Sequence, residues 1–217
     1  MPLEFQKLVM GLTFCLALLL VVLAGAELFT GHILYMGLAG LAARMSGRDI
    51  LTSWVLCWLG NLLGSVLVAG LFVLAGANGL LQDPTSLVFS AASKKTSLDP
   101  LALLAKGLLC NWLVCLALWM SAKVDSDVAK GMVIFWCLLA FIGSSYEHSV
   151  ANMTLFSLAV MGSWVDMGFL SGAFYNLFFV SLGNILGGFL MVCCMYWIYD
   201  GRNFRHLLAM KKPHENA

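Results

Sequence analysis

The chain alternates between long apolar stretches and short polar segments. Three apolar stretches have the length of one membrane-spanning helix, which needs ~20 apolar residues. These are 50–77, 100–122 and 172–199. Two others, 8–44 and 131–165, are longer, and each carries a single glutamate near its middle. The pattern predicts an all-α polytopic membrane protein with one membrane domain over 1–217, in which 200–217 is a polar tail.

Glu27 and Glu147 interrupt the two longer stretches. One straight helix of ~35 residues would be about 50 Å long, well beyond the ~30 Å hydrocarbon core of a bilayer. Each stretch is therefore either a hairpin of two spans with the glutamate in a surface turn, or a single span broken at the glutamate by irregular backbone. The first alternative gives seven spans and the second gives five.

The distribution of lysine and arginine favours the broken spans, because cytoplasmic loops carry an excess of these residues. With hairpins, five loop cations fall on one side of the membrane and six on the other. With broken spans, eight fall on one side and three on the other. The eight are Arg44, Arg48, Lys123, Lys130, Arg202, Arg205, Lys211 and Lys212, and the three are Lys7, Lys94 and Lys95. The cytoplasm then contains loops 44–49 and 122–130 and the C-terminal tail.

A short repeat follows the two glutamates. Glu27 is followed by Gly60-Asn61-Leu62-Leu63-Gly64, and Glu147 by Gly183-Asn184-Ile185-Leu186-Gly187. The two copies lie three spans apart and therefore have opposite orientations, as in the inverted repeats of many transporters. Gly-x-x-x-Gly spacing also arises from helix packing alone. A complete array would have six spans, so we expect that a first span, which would precede Lys7, is absent from this chain.

The composition excludes a soluble globular domain. Of the 217 residues, 61% are hydrophobic and 11% are charged, with a mean hydropathy of +0.93, whereas a soluble domain has roughly 25% charged residues. The net charge of +1 gives no reason to expect a nucleic-acid partner. The seven cysteines lie in apolar stretches without a Cys-x-x-Cys pair, so neither a disulfide framework, a metal site nor a cofactor is expected.

The two breaks hold the polar residues with candidate chemistry. His148 is an ionisable group at membrane depth, so it either exchanges protons near neutral pH or donates a structural hydrogen bond to a carbonyl. Thr30 offers a hydroxyl to a substrate or to the loop backbone, and the residues leave both possibilities open. We expect Glu27 and Glu147 to be structural, as acceptors for the N–H groups at the broken helix ends. A metal ligand set is not expected, because His32 is the only other histidine in the spans.

Lysines and large apolar side chains suggest a pathway for anions. Lys94 and Lys95 lie in a predicted outer loop, where they are either solvated charges or a funnel that concentrates anions. Lys106, near the start of the next span, is expected to extend its ammonium outward. Six apolar residues are either ordinary core or constrictions that gate by dewetting. These are Phe14, Leu18, Leu28, Phe29, Val114 and Phe141.

Four segments of the sequence resemble the formate/nitrite transporter family, and its nitrite branch most closely. They are 26–32 (AELFTGH), 106–115 (KGLLCNWLVC), 146–156 (YEHSVANMTLF) and 183–184 (GN). Gly31-His32 and the run 136–156 carry the likeness to the nitrite branch, and the whole resemblance extends from about residue 2 to residue 200. It implies an aquaporin-like fold with an inverted repeat, two broken helices and six spans, of which five are present here. It also implies five protomers in a ring, each with its own pore.

The resemblance implies roles for individual residues as well. His148 would be the central pore histidine, and Thr30 the threonine that hydrogen-bonds to it or to the anion. Lys95 would be the vestibule lysine that attracts anions. Asn111 and Asn184 would be polar groups near the central chamber. The six apolar residues named above would form two narrow constrictions.

The implied function is a channel or transporter, not an enzyme. It would pass nitrite across a bacterial inner membrane as a homopentamer surrounded by lipid, with the C-terminal tail in the cytoplasm. Passage would be proton-linked, because protonation at His148 removes most of the cost of moving an anion into an apolar constriction. Formate, hydrosulfide or another small monovalent anion is the alternative within the family. A pore for neutral solutes, an intramembrane enzyme using His148 and a non-conducting scaffold are the alternatives from other classes.

Overall fold

The structure is a computed structural model that describes most of the chain. The described residues are 3–76, 81, 83, 85–162 and 165–200. The predicted cytoplasmic tail, apart from Asp200, lies outside them. The helices are α1 (Leu3–Ala24), α2 (Phe29–Leu41), α3 (Gly47–Leu74), α4 (Leu87–Thr96), α5 (Pro100–Ser121), α6 (Asp127–Gly143), α7 (Ser149–Met161), α8 (Met167–Gly188) and α9 (Met195–Asp200), with a π-helical segment, Phe189–Cys194, between the last two.

Both of the longer apolar stretches are interrupted next to their glutamates. The chain leaves the helical conformation between α1 and α2 and again between α6 and α7. Gly25 (φ 74°) and Ser145 (φ 53°) lie in these breaks with left-handed backbone, which glycine adopts without strain and serine does not. The two broken helices of the predicted fold class are therefore confirmed.

The remaining apolar stretches form continuous helices. Gly47–Leu74, Pro100–Ser121 and Met167–Tyr199 are long and apolar enough to cross a membrane. α2 and α7 have 13 residues each, or about 20 Å, and so reach only part of the way. Each therefore completes a span only together with the helix that precedes its break.

The closest helix contact is between α5 and α8. A Cβ atom on Gly183 would lie 2.3 Å from the Leu104 carbonyl oxygen, and one on Gly187 would lie 2.1 Å from that of Leu108. Small residues allow helix backbones to touch in this way. Gly64 corresponds to Gly187 in the first copy of the repeat, and a Cβ atom there would have no described atom within 4 Å beyond the backbone of its own helix and its chain neighbours. The repeat therefore packs closely in its second copy only.

The predicted outer loop contains a helix, α4, which the hydrophobic pattern did not predict. The Ser86 hydroxyl accepts the N–H of Phe89 at its start, and Lys94 and Lys95 lie in its last turn. Phe89 and Ala92 are buried with side chains of α7 and α8. The prediction that the two lysines lie in a loop is wrong, because burial of this short apolar face orders the segment as a helix.

The last span is not a uniform α-helix. After Gly188 it continues as the π-helical segment 189–194, which presents Cys193 to α2. The Cys193 thiol lies 3.6 Å from the Ile33 carbonyl and 3.4 Å from the Leu34 carbonyl. π-helical turns occur often at functional sites. This π-helical segment contacts α2 near its N-terminal end, close to the break.

Candidate functional site

The two broken helices bring their N-termini together. Thr30 lies in the first turn of α2, His148 caps α7, and both are buried. His148 Nε2 lies 3.0 Å from Thr30 Oγ1. Because a helix N-terminus carries partial positive charge, two such ends meet at this pair. The histidine and the threonine singled out in the sequence are thus in direct contact.

Two asparagines of the repeat hold the broken ends. Asn61 Oδ1 accepts the first backbone N–H of α2 at 2.8 Å, and its Nδ2 donates to the Glu27 carbonyl at 3.0 Å. Asn184 Oδ1 accepts the first backbone N–H of α7 at 3.0 Å, and its Nδ2 donates to the Glu147 carbonyl at 3.1 Å. The acceptor of the first N–H group of each helix is thus not the glutamate carboxylate that the sequence predicted. An amide takes this role in each copy because it supplies an acceptor and a donor side by side.

The carboxylate of Glu147 is buried and paired with a cation. Lys95 Nζ donates to both of its oxygens at 2.7 Å, and Asn152 Nδ2 donates to one at 2.7 Å. The side chain of Glu147 is 4% exposed and that of Lys95 is 23% exposed. Asn176 accepts from Asn152 at 2.8 Å and donates to the Lys95 carbonyl at 3.0 Å. Lys95 is therefore the partner of a buried acid and not a solvated loop charge.

The carboxylate of Glu27 has a partner of different chemistry. His32 Nε2 contacts Glu27 Oε2, and Nδ1 of the same ring lies 3.2 Å from Ser53 Oγ on α3. Trp54 donates its indole N–H to the His32 carbonyl at 3.3 Å. The side chain of Glu27 is 55% exposed, whereas that of His32 is 11% exposed. This pair therefore lies closer to solvent than the Lys95–Glu147 pair does.

The hydrogen bonds of His148 assign its tautomer. Its Nδ1 accepts the backbone N–H of Ala151 at 3.2 Å, so Nδ1 carries no hydrogen. In the neutral ring Nε2 then carries the hydrogen and donates it to Thr30 Oγ1. Phe141 stacks on the ring at 6.0 Å and Phe14 meets it edge-on at 5.8 Å, measured between ring centroids. The imidazole thus contacts two aromatic rings and is hydrogen-bonded at both nitrogens.

Two cavities meet at Leu28. One, of about 150 Å³, reaches His148 and has mostly apolar walls. The other, of about 110 Å³, is lined by Glu27, His32 and Tyr35 among others. Within the described part of the chain, Leu28 is the residue that lines both. Leu28 therefore borders both the His148 cavity and the Glu27–His32 cavity.

The predicted constriction residues divide into two groups. Phe14, Leu18, Leu28 and Val114 all line the cavity at His148. Phe141 is buried behind the histidine ring. Phe29 is buried in the first turn of α2, outside the lining of both cavities.

Asn111, on α5, bonds to the backbone near the place where the two broken helices meet. Its Nδ2 donates to the Thr30 carbonyl at 3.3 Å and to the Asn184 carbonyl at 2.7 Å, and both asparagines are fully buried. Lys106, on the same helix, extends its ammonium to the exposed break, where it lies 3.5 Å from the Ser145 carbonyl. Asn111 and Asn184 therefore both bond to the backbone of the broken helices.

Sequence reasoning missed Asn176 and the contact of Ser53 with His32. Asn176 is a buried polar residue in an uncharged helix, and this is the signal that would have identified it, because a buried polar group needs a partner. Ser53 is partly exposed on a helix that also contains Arg48 and Asp49, so no such signal marks it in the sequence. Among the described residues, no three His, Cys, Asp or Glu side chains are grouped so that they could hold a metal ion.

Comparisons with known proteins agree with this geometry. A family model described as formate/nitrite transporter matches residues 1–198. The nitrite transporter NirC of Salmonella typhimurium is 49% identical over 192 residues, which are 88% of this chain and 71% of that protein. A solved FNT family ion channel has a TM-score of 0.86 and 46% identity, with 92% of this chain and 79% of that chain covered. A pentameric formate channel with formate bound has a TM-score of 0.73 and 30% identity, with 92% and 85% covered. This multi-pass membrane protein therefore belongs to the formate/nitrite transporter family.

Proposed function

We propose that this protein conducts nitrite across the membrane by way of the cavity at His148. The observation that carries the proposal is the buried hydrogen bond between His148 and Thr30 where two helix N-termini meet. Nitrite is favoured over formate by the relatives, since the nitrite transporter of Salmonella is 49% identical and the pentameric formate channel 30%. Formate or hydrosulfide is the second candidate.

The charges around the cavity suit a small anion. A bare anion pays a large desolvation cost in an apolar constriction, and two facing helix N-termini offset part of it. A lone carboxylate at the same depth would repel the anion. Lys95 prevents this by balancing Glu147. We therefore propose that Lys95 serves the pathway as the counter-charge of Glu147, in place of collecting anions at the mouth.

Thr30 is proposed to hydrogen-bond to the anion. Its oxygen accepts the Nε2–H of His148, which leaves the hydroxyl hydrogen of Thr30 to donate elsewhere. None of the hydrogen bonds among the described residues uses that hydrogen. Thr30 itself is outside the described cavity lining but contacts His148, which is part of it. The walls formed by Phe14, Leu18 and Val114 would keep an anion partly dehydrated, so a donor at the edge of this cavity would have a large effect.

Thr30→Val is expected to lower nitrite flux by ~10- to 100-fold. Valine keeps the shape of threonine but loses a hydrogen bond to a charged group, worth about 1.5–3 kcal/mol. Stopped-flow measurement of nitrite entry into proteoliposomes gives the rate. Thr13→Val is the matched control, because the Thr13 hydroxyl bonds only to carbonyls of its own exposed helix turn, and its flux should stay within about twofold of the wild type. Equal rates for both variants would contradict the role of the Thr30 hydroxyl.

The proposed substrate is tested on the unmodified protein. Proteoliposomes are supplied with nitrite, formate or hydrosulfide at equal concentration over a pH series. We expect nitrite to enter fastest at each pH. Faster entry of formate or hydrosulfide would assign the channel to that anion, and no entry of any of the three would refute anion conduction.

We propose that the chain assembles as a homopentamer in a bacterial inner membrane with its tail in the cytoplasm. The related pentameric formate channel supports this. So does α3, whose apolar side chains are exposed along its length and require lipid or a neighbouring protomer. They include Leu51, Leu56, Leu63, Leu67 and Leu71. Transport by this route needs no covalent step, which is why we propose a channel without enzymatic activity.

A further inference from the structure

The N-cap residues of the two broken helices have matching backbone conformations. Leu28 precedes α2 with φ −128° and ψ 123°, and His148 precedes α7 with φ −112° and ψ 118°. Both residues are therefore extended where the helix begins, as N-cap residues usually are. Both also line the cavity at His148, whereas the residues immediately before and after each of them are outside its described lining. Each copy of the repeat thus contributes its N-cap residue to the wall of the same cavity.

A side chain of α3 bonds to the backbone on both sides of Leu28. Asn61 donates to the Glu27 carbonyl at 3.0 Å and accepts the N–H of Phe29 at 2.8 Å. These two groups belong to the two peptide units that flank Leu28. Because peptide units are planar, the backbone between them can change only through φ and ψ of Leu28. Holding both units with one amide therefore restrains both angles, and with them the direction of the Leu28 side chain.

Leu28 depends on its asparagine more than His148 does. Asn184 makes the equivalent two bonds around His148, at 3.0 Å and 3.1 Å. His148 also caps its own helix, because its Nδ1 accepts the N–H of Ala151 at 3.2 Å. Leucine has no polar atom for such a bond, and Leu28 makes no side-chain cap. Among the described residues, Asn61 is the side chain that bonds to the two peptide units around Leu28.

We propose that Asn61 is a positioning residue that holds Leu28 in the cavity wall and thereby determines which anions pass. This rests on the proposed conduction of nitrite through the cavity at His148. Asn61 is outside the described lining of both cavities that Leu28 borders, so it acts through the backbone of Leu28 and not by contact with the anion. With φ and ψ restrained, the leucine leaves a passage for a small anion such as nitrite. Without the two bonds its side chain takes up more positions, and bulkier anions enter as well.

The test compares a small and a bulky anion in the same proteoliposomes. Entry of nitrite and of lactate is measured for the full chain and for Asn61→Ala, with the rates of empty liposomes subtracted. We expect the lactate-to-nitrite ratio to rise about three- to tenfold, the factor that corresponds to the loss of one or two neutral hydrogen bonds. A purely structural role would reduce the amount of active protein and lower both rates in proportion. An unchanged ratio, or no lactate entry in either protein, therefore overturns the proposal.

A double substitution tests whether Asn61 acts through Leu28. Leu28→Ala should itself raise the ratio, because it shortens the side chain in the wall. Asn61→Ala added to Leu28→Ala should then change the ratio by less than about twofold, since the side chain that it positions is gone. The same factor in both backgrounds would overturn the proposal. Thr52→Ala is the matched control, because Thr52 lines the same surface groove as Asn61, and it should keep the wild-type ratio. A rise there equal to that of Asn61→Ala would also contradict the role of Asn61.

A second variant keeps the test valid if Asn61→Ala does not fold. Asn61→Asp retains an acceptor for the N–H of Phe29, at a helix N-terminus where negative charge is favourable, but loses the donor to the Glu27 carbonyl. Its ratio should rise about two- to threefold, the equivalent of one neutral hydrogen bond, and an unchanged ratio would overturn the proposal. Absence of nitrite entry in the wild type would refute the proposed function and this inference together. Nitrite entry with unchanged ratios would refute this inference alone.

Discussion

Gly187→Ala is expected to destabilise the protein by about 3 kcal/mol or more and to reduce the yield of folded protein. The new methyl group would lie 2.1 Å from the Leu108 carbonyl oxygen and 2.8 Å from its carbonyl carbon, so the backbones of α5 and α8 must separate. Overpacking of this kind costs ~1–3 kcal/mol when only side chains need to shift, and backbone atoms shift less easily. The same separation would pull Asn184 away from the first N–H of α7.

Gly64→Ala is the matched control, since it occupies the same place in the first copy of the repeat. Beyond the backbone of its own helix and its chain neighbours, no described atom lies within 4 Å of the added methyl group, and alanine stabilises a helix by about 0.5–1 kcal/mol relative to glycine. Its thermal midpoint in detergent, followed by fluorescence-detected size exclusion, should equal or exceed that of the wild type. A Gly187→Ala protein that melted at the wild-type temperature would show that α5 and α8 are not in backbone contact.

Lys95→Met is expected to cost about 3–5 kcal/mol, because it leaves the Glu147 carboxylate buried without its counter-charge. Asn152 remains as a donor to one oxygen, but an amide does not neutralise an anion. Nitrite flux should fall together with stability, since the uncompensated charge lies one residue from His148. Thermal midpoint and proteoliposome flux measure the two effects.

The cause of that loss is isolated by a second substitution. Glu147→Gln in the Lys95→Met background removes the orphan charge, so it should recover more than half of the lost stability. Lys94→Met controls for the loss of a lysine, because Lys94 is exposed on the same helix turn, and it should change stability by no more than about 0.5 kcal/mol. Additive effects of the Lys95 and Glu147 substitutions would contradict the pairing.

The sequence was sufficient to predict the breaks, because they follow from a length argument. A stretch too long for one span, with a glutamate in its middle, must either turn or break, and the distribution of cations decided between the two. His148 and Thr30 were identified for a similar reason, since polar residues are expensive in a membrane and few are present. The contact between His148 and Thr30 depends on how the two copies of the repeat face each other. The inverted repeat was consistent with such a contact, and the 3.0 Å distance between the two side chains shows it.

The partner of Glu147 could not be predicted, because it lies on another helix. Lys95 is 52 residues from Glu147 in the chain, and it reaches it only because α4 is a helix packed on α7. Hydrophobic pattern alone does not distinguish this ten-residue segment from a loop. Likewise, the repeat identified Asn61 and Asn184 as equivalent, yet their role as caps depends on which helix each one faces.

The position of Leu28 between the two cavities has a consequence for the kinetics of transport. Side-chain rotamer changes are orders of magnitude faster than the microsecond-to-millisecond motions by which one bundle of helices rocks against another. Within the described chain Leu28 is the residue shared by both cavity walls. On the proposed pathway we therefore expect a rearrangement of its side chain, and not a carrier cycle, to control passage between the cavities. Turnover should then follow the rate at which anions arrive, and unlabelled nitrite on the far side should not accelerate the exchange of labelled nitrite.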